Sequence, residues 1–386
     1  MEKVVLHCDM DNYFAAVEEK YNPGLKEIPF AVCGDPAMRH SIVMSKNDLA
    51  DRVGVKTGLS YSQARQICPS LGYVKADMSK YLAETKNARE VYLKYSNNVI
   101  PYGMDESWIV LDSGTSVKEA EQIADVIRIE IKYALGLSAS VGVSYNYIFA
   151  KLGSDYNKPN GITVITKENY KQIVWQLPAD ELLFVGSSRK KALSGVGINT
   201  IGDIARAEPE RLVNLLGKTG YDLWCFANGD DRNFKPNSDT IGSIGNTITP
   251  PADLRTTEEA SAVIYLLVSA VSARLKKHGL KTRCVSICMR DSNFGKVIRQ
   301  TSLSHSTDNT NRIFNCAFEL FIRHYKWENP LRSLGVRADN LDNSEQLSMF
   351  ENDDCDLSVN INHRVSKLTE RFGTLSLEKS AAAREW

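Results

Sequence analysis

Two periods of apolar residues alternate along the first part of the chain. Val4, Val5 and Leu6 form a β-branched apolar run that predicts a short buried strand, delivering Asp9 and Asp11 at its end. The period then lengthens: Phe14, Ala15, Ala16 and Val17 recur as on the first turns of a helix. Phe30–Cys33 and Ser41–Met44 predict strands, Asn47–Val53 and Ser62–Ile67 short helices, and Met78–Asn98 a longer helix. Val99–Asp112 carries two apolar runs around Gly103–Ser107, which predicts a β-hairpin with acidic residues at its turn. Val117–Leu135 reads as a helix, Ser138–Asp155 as a strand running into a helix, and Lys158–Ile165 as a turn into a strand. The first 165 residues therefore predict a mixed α/β unit with an insertion.

From Thr166 to about Asp231 the pattern is helical. A helix at Ser188–Ser194, a turn at Gly195–Gly197 and a second helix near Ile201 fit a helix-hairpin-helix whose turn amides hold a DNA phosphate. They equally fit a plain helical bundle with glycine C-caps. Asp230–Asp239 is polar, contains Pro236 and reads as a linker. Beyond it the pattern predicts a compact βαββαβ module ending near Leu341, with its longest helix at Glu258–His278. In the final segment Leu347, Met349 and Phe350 sit among acidic residues, before a predicted helix within Asn362–Phe372. They fit either a small strand packing back on its own domain or a short peptide docking into another protein's apolar pocket.

Composition changes this picture in one respect. The 386 residues, 43% hydrophobic and 24% charged, are ordinary for a globular chain. At about 100–200 residues per domain they make two to four domains. Forty-seven basic and 47 acidic residues cancel. Their distribution does not. Ile241–Leu341 holds 14 Lys/Arg against 8 Asp/Glu, and Asp342–Trp386 holds 5 against 9, so a basic module and an acidic tail hide inside a neutral total. The eight cysteines are scattered with no CxxC pair, which argues against zinc and for reduced core thiols. No signal peptide is expected, and no stretch approaches the ~18 apolar residues that span a membrane, so a cytoplasmic location is expected.

Asp9 and Asp11 carry the candidate chemistry. Carboxylates at a strand end followed by a helix start suit a metal ion and phosphate, and equally suit a helix N-cap.

Several ordered motifs resolve the ambiguity. DMDNYFAAVE, GMDESWIVLD, SVGVSYNYIFAKLGSDYNKPNG, SIGNTITPPADL and QLSMF together resemble the Y-family DNA polymerases, in the bacterial DNA polymerase IV branch, over nearly the whole chain. The resemblance implies a multi-domain α/β (α+β) right-handed polymerase. Its palm is residues 1–11 and 74–165, its small fingers 12–73, its helical thumb 166–231, its linker 232–240 and its βαββαβ little finger 241–341, followed by an acidic tail, 342–386. It implies that Asp9, Asp105 and Glu106, with the Met10 carbonyl, hold two Mg²⁺ ions, and that Glu106 lies nearest the primer 3′-OH. Asp11 is then not a primary ligand and has a capping or packing role. Phe14 falls at the steric gate, Tyr13, Ser45 and Lys158 at the nucleotide, and Gly195 and Gly197 at DNA. Gln346, Leu347, Ser348, Met349 and Phe350 resemble the peptide that binds the bacterial sliding clamp. The implied partners are primer–template DNA, dNTP and clamp, the protein being a monomer off the membrane.

The sequence departs from the family pattern at several places. Asp48 and Asp51 replace the common fingers Tyr and Arg, leaving Lys46 and Arg52 as local substitutes; Gly103 replaces a Ser, and Tyr147 a Lys. The resulting expectation is a low-fidelity polymerase that copies past damaged bases during DNA repair and replication. Two rivals are weighed beside it. DMDN also resembles the nucleophile motif of aspartate-phosphorylating phosphatases, which leaves the basic module unexplained. The altered fingers suggest a non-catalytic DNA- and clamp-binding protein, against which the intact acidic triad argues.

Overall fold

The computed structural model describes residues 3–35, 41–236 and 241–343. The chain divides into two compact units, Met1–Ser238 and Asp239–Trp386. In the first, β1 (Val5–Met10) and α1 (Tyr13–Tyr21) precede β2 (Phe30–Cys33), β3 (Val43–Lys46), α2 (Asp48–Arg52), α3 (Tyr61–Ile67) and β4 (Gly72–Lys75). Then come α4 (Met78–Tyr92), β5 (Val99–Pro101), β6 (Glu106–Val110), α5 (Val117–Glu130), β7 (Ala139–Ser144), α6 (Tyr147–Tyr156) and β8 (Ile162–Ile165).

Five of these strands form one sheet in the order β5-β6-β1-β7-β8, so the strand that opens the sequence is its centre. Every residue of β1 is buried, as expected of a strand covered on both faces. Its period of two sends Leu6, Cys8 and Met10 into the large core shared with Ala120, Ala124 and Ile127 of α5. Val5 packs on the other face with Trp108 and Ala150 of α6, and the same alternation gives His7 and Asp9 that face. Helix α6 lies directly on the β7 backbone, because a Cβ at Gly142 would sit 1.9 Å from the Ala150 carbonyl oxygen. Any side chain there would lift α6 off the sheet.

A second sheet, order β3-β2-β4, is built from the inserted segment. Its strand β4 is not predicted by the sequence pattern, and it pairs in parallel with β2 from Phe30↔Gly72 to Cys33↔Lys75. The four residues of β4 are all partly or fully exposed, so no apolar run marks them. The 73/74 boundary expected between fingers and palm therefore cuts a strand.

The helical end of the unit holds α7 (Tyr170–Ile173), α8 (Ser187–Ser194), α9 (Ile201–Arg206), α10 (Pro209–Leu216) and α11 (Lys218–Ala227). The expected linker begins too early. Phe234 packs on Trp108, Tyr147, Phe184 and Phe226, with ring centroids 5.4–6.3 Å apart, so the first unit's packing extends at least that far.

The second unit reads β9 (Ser243–Ile248), α12 (Thr257–Lys277), β10 (Lys281–Asp291), β11 (Lys296–Thr307), α13 (Thr310–His324) and β12 (Leu331–Asp342), the predicted βαββαβ order. Its antiparallel sheet runs β11-β10-β12-β9. Val285, Ile287, Met289, Leu334, Val336 and Ala338 form one apolar face with α12 and α13. The alternate positions, including Ser286, Cys288, Gly335 and Arg337, line a cleft of about 300 Å³ on the opposite face. Among the described residues no helix is long and apolar enough to cross a membrane. The clamp-like residues Gln346–Phe350 and the helix expected near Asn362–Phe372 lie outside the described residues.

Candidate active site

The acidic residues separated by almost a hundred positions meet because β1 and β6 are antiparallel neighbours. Asp9 is the direct cross-strand partner of Glu106, and the Met10 N–H donates to the Asp105 carbonyl at 3.0 Å. Helix α4 fixes the hairpin turn that carries the pair: Arg89 donates to the Gly103 carbonyl at 3.0 Å and Thr85 to the Met104 carbonyl at 2.8 Å. Gly103 also gives room, since a Cβ there would stand 3.1 Å from an Asp105 carboxylate oxygen. Met10 buries its side chain in the core, so only its backbone can reach a ligand.

Two lysines that follow β7 complete the cluster. Lys151 of α6 stands 2.9 Å from Asp9 Oδ2, 2.5 Å from Glu106 Oε2 and 3.1 Å from Asp155. Lys158 stands 2.8 Å from the same Asp9 oxygen and 2.8 Å from Asp155. Beneath Glu106, fully buried His7 faces its Oε2 at 3.3 Å. The Ser154 hydroxyl gives its proton to the Lys151 carbonyl at 2.7 Å, so His7 Nδ1 donates to it across 2.8 Å. Lys151, Asp155 and His7 have no place in the sequence reading. Lys151 and Asp155 carry only a helical i,i+4 spacing as a signal.

The three carboxyls differ in their electrostatics. Burial, then the Asp9 and Glu106 charges, push Asp105 up to about 6. Burial also opposes ionisation of Glu106, but the Lys151 ammonium beside it outweighs this and holds the carboxyl at about 2. Burial works against charge on both lysines as well, yet the surrounding carboxylates keep both pKa values above the usual ammonium range. Burial lowers the pKa of His7.

The donor set fits a hard divalent cation. Asp9, Glu106 and His7 offer ligand atoms within 4.8 Å of one another, and carboxylate oxygens are what such ions prefer. Glu106 Oε2 is buried without a well-directed hydrogen bond even though an ammonium lies beside it.

The other expected site residues divide. Phe14 is half-buried at the start of α1, its ring 4.7 Å from that of Tyr81. Tyr13 is a core residue whose hydroxyl is spent on the Tyr81 carbonyl (2.6 Å) and Thr85 (2.9 Å), so its side chain is not free for a nucleotide. Ser45 lies at the same helix start, 3.3 Å from the Asn12 carbonyl and 3.4 Å from the Ala15 N–H. Asp11 caps nothing in α1. It accepts from Ser138 (2.6 Å), Ser140 (2.8 Å) and the Asn160 N–H (2.9 Å), tying β1 to β7 and to the turn before β8. The N-cap of α1 is Asn12, which makes no side-chain cap bond and donates instead to Asp48 at 2.9 Å. Asp51 occupies Lys46 at 3.2 Å, which leaves Arg52 as the cation of the expected pair without that engagement.

The glycine turn needs a correction. The α8–turn–α9 arrangement exists, and Gly197 needs its φ of 81°. The N–H groups of Gly195, Val196 and Gly197, however, donate to the carbonyls of Lys191, Leu193 and Ser194, so they are not free for a phosphate. The start of α8 at Gly186 carries no side-chain cap.

Sequence comparison bears on the same residues. The pattern of the impB/mucB/samB family matches residues 8–155, and that of its C-terminal domain residues 242–349. A protein of Acetivibrio thermocellus called DNA polymerase IV is 42% identical over 98% of this chain and 97% of its own. Bacillus subtilis DNA polymerase IV 1 is 30% identical, over 99% and 94%. Among solved structures, a Y-family DNA polymerase chimera superposes with a TM-score of 0.76 at 24% identity, over 87% of this chain and 98% of that one, a likeness of fold.

Proposed function

The chain belongs to the impB/mucB/samB family, and from that membership we propose that its acidic cluster extends a primer on a DNA template. It is a DNA-directed DNA polymerase of translesion synthesis. The observation that carries this reading is the pairing of Asp9 with Glu106 across two central strands, with Asp105 at the hairpin turn and two lysines alongside.

Asp9, Asp105 and Glu106, with the Met10 backbone, would hold two Mg²⁺ ions. When bound, these lower the pKa of the primer 3′-OH and neutralise charge on the leaving pyrophosphate. The chain's own groups do the rest. Lys158 offers an ammonium to the triphosphate, and the start of α1, whose N-cap Asn12 makes no side-chain cap bond, offers backbone N–H groups. Asp48 and Asp51 contribute no cation, so Lys158 and this helix start carry more of the phosphate recognition here than fingers side chains do. The Phe14 ring stands at the sugar, where its bulk excludes a ribose 2′-OH. In the helical segment 166–231 the uncapped Gly186–Ser188 start of α8 suits a DNA phosphate better than Gly195 and Gly197 do. Gln346–Phe350 would tether the enzyme to a sliding clamp and so raise its effective concentration on DNA.

The test is primer extension with Mg²⁺ and four deoxynucleotides, wild type beside Glu106→Gln. Wild type should extend the primer, and the variant should be slower by about a hundredfold or more. Equal extension by both would remove Glu106 from the reaction. No extension by either, with DNA binding retained, would favour a non-catalytic binding protein.

A further inference from the structure

Lys151 and Lys158 stand at the oxygens a divalent cation would need. Asp9 Oδ2 receives both ammonium groups, at 2.9 and 2.8 Å, and one carboxylate oxygen has about two lone-pair sites. Glu106 Oε2 receives Lys151 at 2.5 Å. No cation can take these two oxygens without moving an ammonium. Both lysines are also held by one further carboxylate, Asp155 of α6, at 3.1 and 2.8 Å on its two oxygens. Asp155 is four residues from Lys151 and three from Lys158, so it shares their stretch of chain and its contacts survive if the lysines leave Asp9 and Glu106.

From this arrangement we infer that Lys151 and Lys158 are exchangeable stand-ins for the catalytic cations, and that Asp155 is the acceptor that keeps them when a divalent ion takes Asp9 and Glu106. The inference rests on the metal-site reading above. Charge balance supports it. Asp9, Asp105, Glu106 and Asp155 with two ammonium groups carry a net −2 when all are ionised, which one divalent ion neutralises. The ion-free site is thereby spared three mutually repelling carboxylates. After exchange, Lys158 is left beside the cations on a short tether, placed to meet an incoming triphosphate. Asp155 is a positioning residue in this scheme. It touches neither cation nor nucleotide and acts through the lysines.

The scheme makes two substitutions act in opposite directions on cation binding alone. Removing Lys151 removes a competitor and adds one net negative charge. Removing the charge of Asp155 leaves both lysines with no other anionic partner, so they hold Asp9 and Glu106 more tightly. The measurement is Mn²⁺ binding to the full chain, without DNA or nucleotide, followed by the electron paramagnetic resonance of free Mn²⁺. Lys151→Met should bind Mn²⁺ about tenfold more tightly than wild type, the size of effect a neighbouring charge has on an ionic equilibrium, and Asp155→Asn several-fold more weakly. Circular dichroism and melting curves show whether each variant is folded, and Asp155→Asn decides the matter if Lys151→Met is not. A folded Lys151→Met with unchanged or weaker affinity overturns the exchange, as does Asp155→Asn with unchanged or tighter affinity. If the wild type itself binds no Mn²⁺, or binds it equally after Asp9→Asn, the metal-site reading falls and the exchange with it. If wild-type binding depends on Asp9 and only the two variants fail, the exchange alone falls.

Discussion

Asp105 is a carboxyl whose charge the fold tolerates poorly. Burial and two neighbouring carboxylates put its pKa at about 6, while in an unfolded chain it titrates near 3.8. A carboxyl raised in this way contributes stability that is fully present below the unfolded value and is lost as pH rises through the folded one. Without divalent ions, stability from this group therefore drains away between about pH 4 and 6, and at pH 7.5 the ionised carboxylate is a burden. Asp105→Asn should raise the metal-free stability at pH 7.5, by an amount on the order of 1–2 kcal/mol after allowing for partial exposure and seen as a higher melting temperature, and change it little at pH 4. An equal shift at both pH values would show that charge is not the cause. Glu106 has the opposite sign: held at about 2, it contributes stability above its unfolded pKa and loses it as pH falls through its folded one. Asp9 stands out in the sequence as an acid where an apolar run stops, and Asp105 and Glu106 as the acidic turn of a hairpin. Lys151 was not, because its partners Asp9 and Glu106 lie 142 and 45 residues away and only the strand pairing brings them to it.

Among the elements, the end of β1 depends on one side chain. Asp11 looks in sequence like a second site acid or a cap, and the structure makes it a clasp: its two oxygens receive two serine hydroxyls from the start of the β7 segment and one N–H from the turn before β8. Asp11→Ala leaves those donors in a largely buried place without an acceptor, at about 1–3 kcal/mol for a buried group so stranded. Thermal melting should show the first unit destabilised by several degrees, with Asp11→Asn milder because it keeps one acceptor oxygen. No loss in the alanine variant would mean that water replaces the carboxylate. The same kind of non-local bond explains what the sequence could not show. Strand β4 is specified by a parallel partner 42 residues earlier, and Gly195–Gly197 looked like a phosphate-binding turn because the spacing of glycines does not reveal where their amides point. Long elements with one repeated period, such as α12, needed no such partner to be read.

Over the whole molecule, charge is segregated by unit rather than by total. Residues 241–341 carry six more basic than acidic side chains, and the rest of the chain cancels them, mostly through its acidic tail. In the second unit the cations that face away from α12 and α13 include Arg290 and Lys296, cross-strand partners on β10 and β11. Basic groups of this kind bind DNA by releasing counterions from phosphates, so affinity should fall linearly on a logarithmic scale as salt rises. Each phosphate contact adds about 0.9 to the slope, and replacing both Arg290 and Lys296 by alanine should reduce it by nearly two while weakening binding to all template sequences alike. Fluorescence anisotropy of a labelled primer–template across about 50–200 mM salt measures this directly. If the slope is unchanged while affinity falls, the two side chains act by holding the β10–β11 pair in shape. If neither changes, the DNA lies on a different face of the basic unit.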